Sequence, residues 1–176
     1  MNKQDEIMMN VDLISIQNII NEIGLKATLL EKSEVIRLAT LGVSIDADDS
    51  KRERNIFMNF IPLPEDVFAD IKLLQFHIEL PFSGLKKSQT GLEALFNFIN
   101  LNSPIGTFSI DDRYKISLRY VHTLNKYQSL SETGPLLLEL LKFLIFTLDT
   151  YSDLIELVTN SIRESDDVIN ELREML

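Results

Sequence analysis

The sequence predicts an α+β fold: an antiparallel sheet packed by helices in a two-layer sandwich, closed by a long C-terminal helix. Three observations predict it. Leu74, Phe76, Ile78 and Leu80 alternate with Gln75, His77 and Glu79, the pattern of a strand with one covered face in an antiparallel sheet. Apolar residues recur near a 3.6-residue period at Val11–Ile23 and Leu92–Ile99, as amphipathic helices require. A hairpin pattern around Asp111 then leads into the apolar block Leu136–Leu148.

The elements follow in chain order. Val11, Ile14, Ile19, Ile20 and Ile23 place a helix at about 9–23, with Gly24 where a C-terminal cap belongs. Thr28–Glu31 reads as a short strand. Val35–Ile45 reads as a longer, β-branched one, with Val35, Ala39, Leu41, Val43 and Ile45 on one face. Asp46–Asn55, with seven charged residues among its ten, is an exposed hairpin loop. Ile56, Met58 and Phe60 then alternate with Phe57, Asn59 and Ile61, until Pro62 and Pro64, unable to donate to a ladder, stop the strand. Ile71–Leu80 resumes the sheet, and Pro81 and Gly84 end it.

Ser88 or Thr90 caps a second helix at about 90–101, whose buried stripe is Leu92, Leu95, Phe96 and Ile99. Ile105–Asp111 and Lys115–His122 form a hairpin around the turn Asp111–Tyr114, with Ile116, Leu118 and Tyr120 on one face. Ser131 or Thr133, before Gly134-Pro135, opens the last helix, since proline is tolerated in a first turn. Helical pattern then continues to the C-terminus over some 40 residues, which unbroken would reach roughly 60 Å. It either projects or breaks near Thr159–Ser161, where Ser161 and Glu164 have capping-box spacing. The chain accordingly reads as one α+β domain over 1–160 with a helical extension at 161–176, separate from the last helix or continuous with it.

Composition narrows function by exclusion. The chain has 176 residues and no cysteine, so disulfides, thiolate metal sites and cysteine nucleophiles are ruled out. A net charge of −10 argues against nucleic acid, whose phosphates are bound by Lys and Arg. MNKQDEIMMN lacks the basic and apolar segments of a signal peptide, and Leu136–Leu148 is too short to span a bilayer; a cytoplasmic protein with no membrane attachment is expected. From Asp149 to Leu176 eight acidic residues face only Arg163 and Arg173. That surface is either a solvated helix face or an attractor for a basic partner.

No catalytic constellation emerges, and no cofactor or metal is expected. His77 and His122 are the only histidines and show no spacing for a metal site. Asp46-Ala47-Asp48-Asp49-Ser50 has the acidic start of an EF-hand loop, but Lys51 replaces the sixth-position Gly and Phe57 the twelfth-position Glu. Gly84-Leu85-Lys86-Lys87-Ser88 has the wrong glycine spacing for a phosphate loop, and Glu65-Asp66 is an ordinary acidic pair. In the tail, Val158, Ile162, Ile169, Leu172 and Leu176 recur at spacings of three, four or seven. This stripe either folds back on its own domain or meets a partner or a second copy. Ile162, Ile169, Leu172 and Leu176 are the candidate partner-interface residues.

The segment Leu92–Val158 resembles the bacterial YbjN family. The resemblance rests on Leu95, Phe98-Ile99-Asn100, Gly106-Thr107-Phe108, Asp111-Asp112, Ile116-Ser117-Leu118-Arg119-Tyr120, and the Leu138–Leu141 run with Asp149. Outside that segment only the element order agrees. The resemblance implies a fold similar to type III secretion chaperones and a role in sensory-transduction regulation or chaperone-like binding. It implies no catalytic residue. The expected function is a non-enzymatic, chaperone-like or regulatory protein-binding domain; the alternatives are a small-molecule-sensing regulatory domain and a structural homodimerisation module.

Overall fold

The computed structural model describes residues 3–48, 51–64 and 67–175. Its elements are α1 (Lys3–Glu22), β1 (Lys26–Leu30), β2 (Thr40–Ile45), β3 (Arg54–Ile61), β4 (Ile71–Ser83), α2 (Gln89–Asn102), β5 (Thr107–Ile110), β6 (Lys115–Asn125), α3 (Leu130–Thr159) and α4 (Ser165–Met175). The fold is α+β, with a six-stranded antiparallel sheet in the order β1-β2-β3-β4-β6-β5. Lys126 N–H donates to Asp70 O, and Gly84 N–H to Tyr114 O; β4 and β6 therefore run in opposite directions. The chain forms two compact units, Met1–His77 with Tyr120–Leu141, and Ile78–Arg119 with Lys142–Leu176.

In the first unit, β1–β2 pairs Ala27 with Val43, β2–β3 pairs Leu41 with Met58, and β3–β4 pairs Met58 with Phe76. The alternation of the sequence thus places Leu41, Val43, Ile56, Met58, Phe60, Leu74 and Phe76 in the core. α1 packs on β1 and β2 through Leu13, Ile16 and Ile20. A largely buried ion pair joins Asp12 of α1 to Lys72 of β4, whose ammonium lies 5.8 Å from the centre of the Phe60 ring. The β2–β3 loop is held by Arg54, whose guanidinium donates to Asp46 O, and by the Asp48–Arg52 ion pair. Burial alone would raise the Asp48 carboxyl; hydrogen bonds from Arg52 and the charges of Arg52 and Arg54 outweigh it and hold the group below its ordinary range.

In the second unit α2 buries the expected stripe, Leu92, Leu95, Phe96 and Ile99. Phe108 of β5 stacks on Phe96 and meets Tyr151 of α3 edge-on, with centroids 6.0 and 6.1 Å apart. Gly106 turns the chain into β5 at φ +78°, and a Cβ there would stand 2.6 Å from the buried Leu118 side chain. α4 packs on α2, where a Cβ on Gly91 would come within 3.2 Å of Ser165 Oγ.

Five expectations need correction. First, α1 begins six residues earlier than its periodicity suggests, and of its expected stripe Ile20 is buried while Val11, Ile14 and Ile23 are about half exposed; Leu13 and Ile16 complete the buried face. Second, Val35–Ala39 is not strand: Ser33 and Ile36 close a turn through N–H···O and Oγ contacts of 2.8 and 3.1 Å, and Val35 is 89% exposed. Ile36, Leu38 and Ala39 are half-buried, Leu38 and Ala39 beside Met9, Leu13 and Phe60, so their apolar character is met by packing without strand pairing. Third, β4 continues through Pro81 to Ser83. Gly84 N–H points toward β6, so by alternation the Pro81 nitrogen points to the other edge, beyond the β3 register that ends at His77. Fourth, α3 starts at Leu130, five residues before Pro135, so the proline lies past the first turn.

Fifth, Ser161 caps the end of α3, not the start of α4. Ser161 has φ +55°, its N–H reaches Val158 O at 3.0 Å, and Ile162 N–H reaches Leu157 O at 2.9 Å. This pair of bonds is a Schellman motif. It breaks the helix where the sequence allows a break, and α4 starts after Glu164, whose carbonyl accepts from Val168 N–H.

Candidate protein-binding cleft

The sheet edges come first, because an open edge is the simplest peptide site in a fold of this class. Along β1, Asn21 of α1 accepts from Ala27 N–H at 3.0 Å through its side-chain oxygen, and the Gln17 amide donates to Ala27 O at 3.0 Å. Along β5, one side chain does both jobs: Asn100 accepts from Phe108 N–H at 2.8 Å and donates to Phe108 O at 3.0 Å. Each carboxamide stands where the backbone of a further strand would lie. Sequence reasoning places Asn100 at the helix-to-strand connection but carries no sign of this role, since a bond between side chain and distant backbone leaves no periodic trace.

The second feature is the outward face of α1. Ile7, Met8, Val11 and Ile14 are each about half exposed, between 44% and 57%. Val11, Ile14 and Ile23 belong to the stripe from which the helix is read in the sequence, yet they face out while Leu13, Ile16 and Ile20 face in. α1 is apolar on two sides, and a helix of that kind has one side left for something other than its own core.

Further along α1, in the same unit, lies an open cleft of ≈ 670 Å³. Ile19, Glu22 and Ile23 of α1 form one wall, and Leu130, Gly134, Pro135 and Leu138 the other. Gly134 makes the closest approach, since a Cβ there would sit 3.0 Å from Ile19 Cδ1. Ser15, Asn18 and Ser129 supply polar atoms at the rim, and Glu22 is the charged side chain of the lining among the described residues.

The candidate interface residues of the tail fall in different places. Ile169 and Leu172 are buried in the second unit, with Val168, on the α4 face that meets α2. Ile162 is 67% exposed and occupies the position after the left-handed cap, where a Schellman motif carries its apolar residue. Leu176 lies outside the described residues, as do Asp49, Ser50, Glu65 and Asp66. Arg163 pairs with Glu171 at 2.6 Å, and Arg173 lies over the Phe98 ring at 5.6 Å, so both cations of the acidic tail are engaged locally.

His77 and His122 sit half-buried on β4 and β6. Burial pushes the His122 imidazole below its ordinary value, and the ring stacks on Tyr120 at 6.3 Å. Among the described residues no three His, Asp or Glu side chains gather as a metal site, and no helix is long and apolar enough to cross a membrane. No protein-family model and no curated protein matches the chain.

Proposed function

We propose that this chain is a non-enzymatic protein-binding domain, chaperone-like or regulatory, that seats an apolar helical segment of another protein in the cleft between α1 and the start of α3. The observation that carries the reading is the cleft itself: a groove between two helices, lined by Ile19, Ile23, Leu130, Pro135 and Leu138 with Glu22 and a polar rim, matches the way an amphipathic helix is recognised. Occupied edges on β1 and β5 weigh against strand addition as the mode. The YbjN-like residues of Leu92–Val158 agree with a chaperone-like or regulatory role, and their family supplies no catalytic set. The test compares the native protein with an Ile23→Asp variant in affinity capture under identical conditions. A partner held by the cleft is lost from the variant. Recovery of the same partners at the same yield from both sinks the reading.

A second reading, a small-molecule sensor, is favoured by the cleft volume, which falls within the range of ligand pockets. Thermal-shift screening against metabolites separates the two. Stabilisation by one compound class, lost on narrowing the cleft by Gly134→Leu, supports the sensor.

A further inference from the structure

We infer that α1 also docks a second copy of this chain, through the seam Ile7, Val11, Ile14 and Asn18, as a short parallel helix pair. The spacings four, three and four are those of d, a, d and a positions in a heptad repeat. Ile7, Val11 and Ile14 are half exposed and Asn18 is exposed, so the seam stands open along α1. Three features choose a second copy over an unrelated apolar helix.

The first is Asn18. At an a position it would be left without a polar partner against an apolar helix. Its own equivalent across a two-fold axis can satisfy it, and such a pairing fixes a parallel register. The second is charge. The protein carries −10 overall, which opposes self-association, yet Ile7, Met8, Val11, Ile14, Ser15 and Asn18 are all uncharged. In a parallel pair the flanking g and e′ positions would match Asn10 with Ser15 and Gln17 with Glu22, bringing no two like charges together. The third is fixation. Asn21 and Gln17, on the neighbouring side of the helix, are tied to Ala27, which holds the seam in one orientation. The cleft residues Ile19 and Ile23 lie more than about 90° around α1 from the seam centre, while Ser15, Asn18 and Glu22 border both, so the second copy and the proposed partner helix meet adjoining faces of α1. This inference stands apart from the proposed function.

The experiment is sedimentation together with cysteine cross-linking, made clean by a chain that has no cysteine of its own. Wild-type protein is expected to shift from monomer toward dimer as its concentration passes about 0.1 mM, the dissociation constant that the net gain from burying the seam implies. Val11→Asp should raise the dissociation constant at least about thirtyfold, since it would bury a carboxylate pair. Under mild oxidation Val11→Cys and Asn18→Cys should each form a homodisulfide faster than Leu101→Cys, a control at an exposed site on α2. An antiparallel pair would instead set position 11 opposite position 14 and position 18 opposite position 7, with the two copies of position 18 roughly 16 Å apart along the axis, beyond disulfide reach; Asn18→Cys would then not link to itself, and Val11→Cys would link fastest in a mixture with Ile14→Cys. That result overturns the parallel seam. So does a wild-type monomer at every concentration, a Val11→Asp variant that dimerises as well as wild type, or cross-linking no faster than the control. Loss of the seam by Val11→Asp with cleft binding retained separates the two sites.

Discussion

Replacing Asn100 by Ala removes both hydrogen bonds that close the β5 edge, the 2.8 Å bond from Phe108 N–H and the 3.0 Å bond to Phe108 O. Each such bond contributes about 0.5–1.5 kcal/mol net, and a freed group that stays dry costs about 1–3 kcal/mol. β5 is an edge strand, so water can reach the freed groups once the amide is gone, and the lower figures apply. The expected loss is about 1–3 kcal/mol in urea unfolding, or a melting point lower by roughly 2–12 °C for a chain of this size. Amide exchange gives the local readout: Phe108 N–H should lose about tenfold or more in protection, since 1.4 kcal/mol is a factor of ten. Asn100→Asp is the diagnostic control. It keeps the acceptor for Phe108 N–H but sets a carboxylate against Phe108 O, so at neutral pH it should be at least as damaged as the alanine variant. Once protonated, below about pH 4, the carboxyl can donate again, and the aspartate variant should recover relative to alanine. An alanine variant within about 0.5 kcal/mol of wild type, with unchanged Phe108 exchange, would refute the plug.

Other positions give shorter tests. Gly106→Ala should cost about 2–4 kcal/mol, combining left-handed strain with overpacking against Leu118. Gly134→Ala should be near neutral or stabilising by up to about 1 kcal/mol, since helix propensity gains what a small shift of half-exposed Ile19 costs; urea midpoints distinguish the pair. Leu172→Ala should lose about 2–4 kcal/mol, as expected for a buried leucine, whereas Ile162→Ala should stay within about 0.5 kcal/mol. A small effect at Leu172 would show that α4 is not held on α2. Burial lowers the folded-state pKa of His122, so its contribution to stability is present above about pH 6.5 and is lost as pH falls below that value. His122→Gln should flatten the dependence there, measured by urea unfolding at stepped pH. It should leave untouched the fall at more acid pH that follows protonation of Asp48, whose pKa is also lowered.

The parts of the fold legible in the sequence are those where one face is apolar and the other is not. Leu74, Phe76 and Ile78 could only alternate one way, and α2 has a single stripe. α1 was ambiguous because two apolar stripes share one helical period: Leu13, Ile16 and Ile20 on one side, Ile7, Val11 and Ile14 on the other. Periodicity establishes that such a helix exists without saying which stripe the core takes. Ile169 and Leu172 pose the same difficulty, since a stripe buried against α2 and one buried against a partner have the same sequence. Val35–Ala39 read as strand from side-chain type alone, and a turn at Ser33–Ile36 decided otherwise. Asn100, Asn21 and Gln17 were beyond reach because their partners are backbone groups whose positions depend on the finished fold.

The strength of the α1 seam follows from the same bookkeeping. Burying the exposed half of Ile7, Met8, Val11 or Ile14 contributes about 1–1.5 kcal/mol each, half the value for a fully buried side chain. A two-fold pair doubles the set to eight side chains and roughly 8–12 kcal/mol. Association itself costs about 4–15 kcal/mol, toward the low end here because α1 is already folded and its neighbouring amides are tied down. The balance is near 5 kcal/mol, a dissociation constant on the order of 100 μM. Sedimentation over a concentration series checks it. A constant in the nanomolar range would mean that surface beyond the seam takes part, and the four-residue account would then be wrong. Asn18→Ile, which replaces the polar a position with an apolar one, should tighten the pair and relax its register, so the cross-links at position 11 should lose their preference for the parallel arrangement as affinity rises. Tighter association with unchanged register would mean that orientation is set elsewhere than by Asn18.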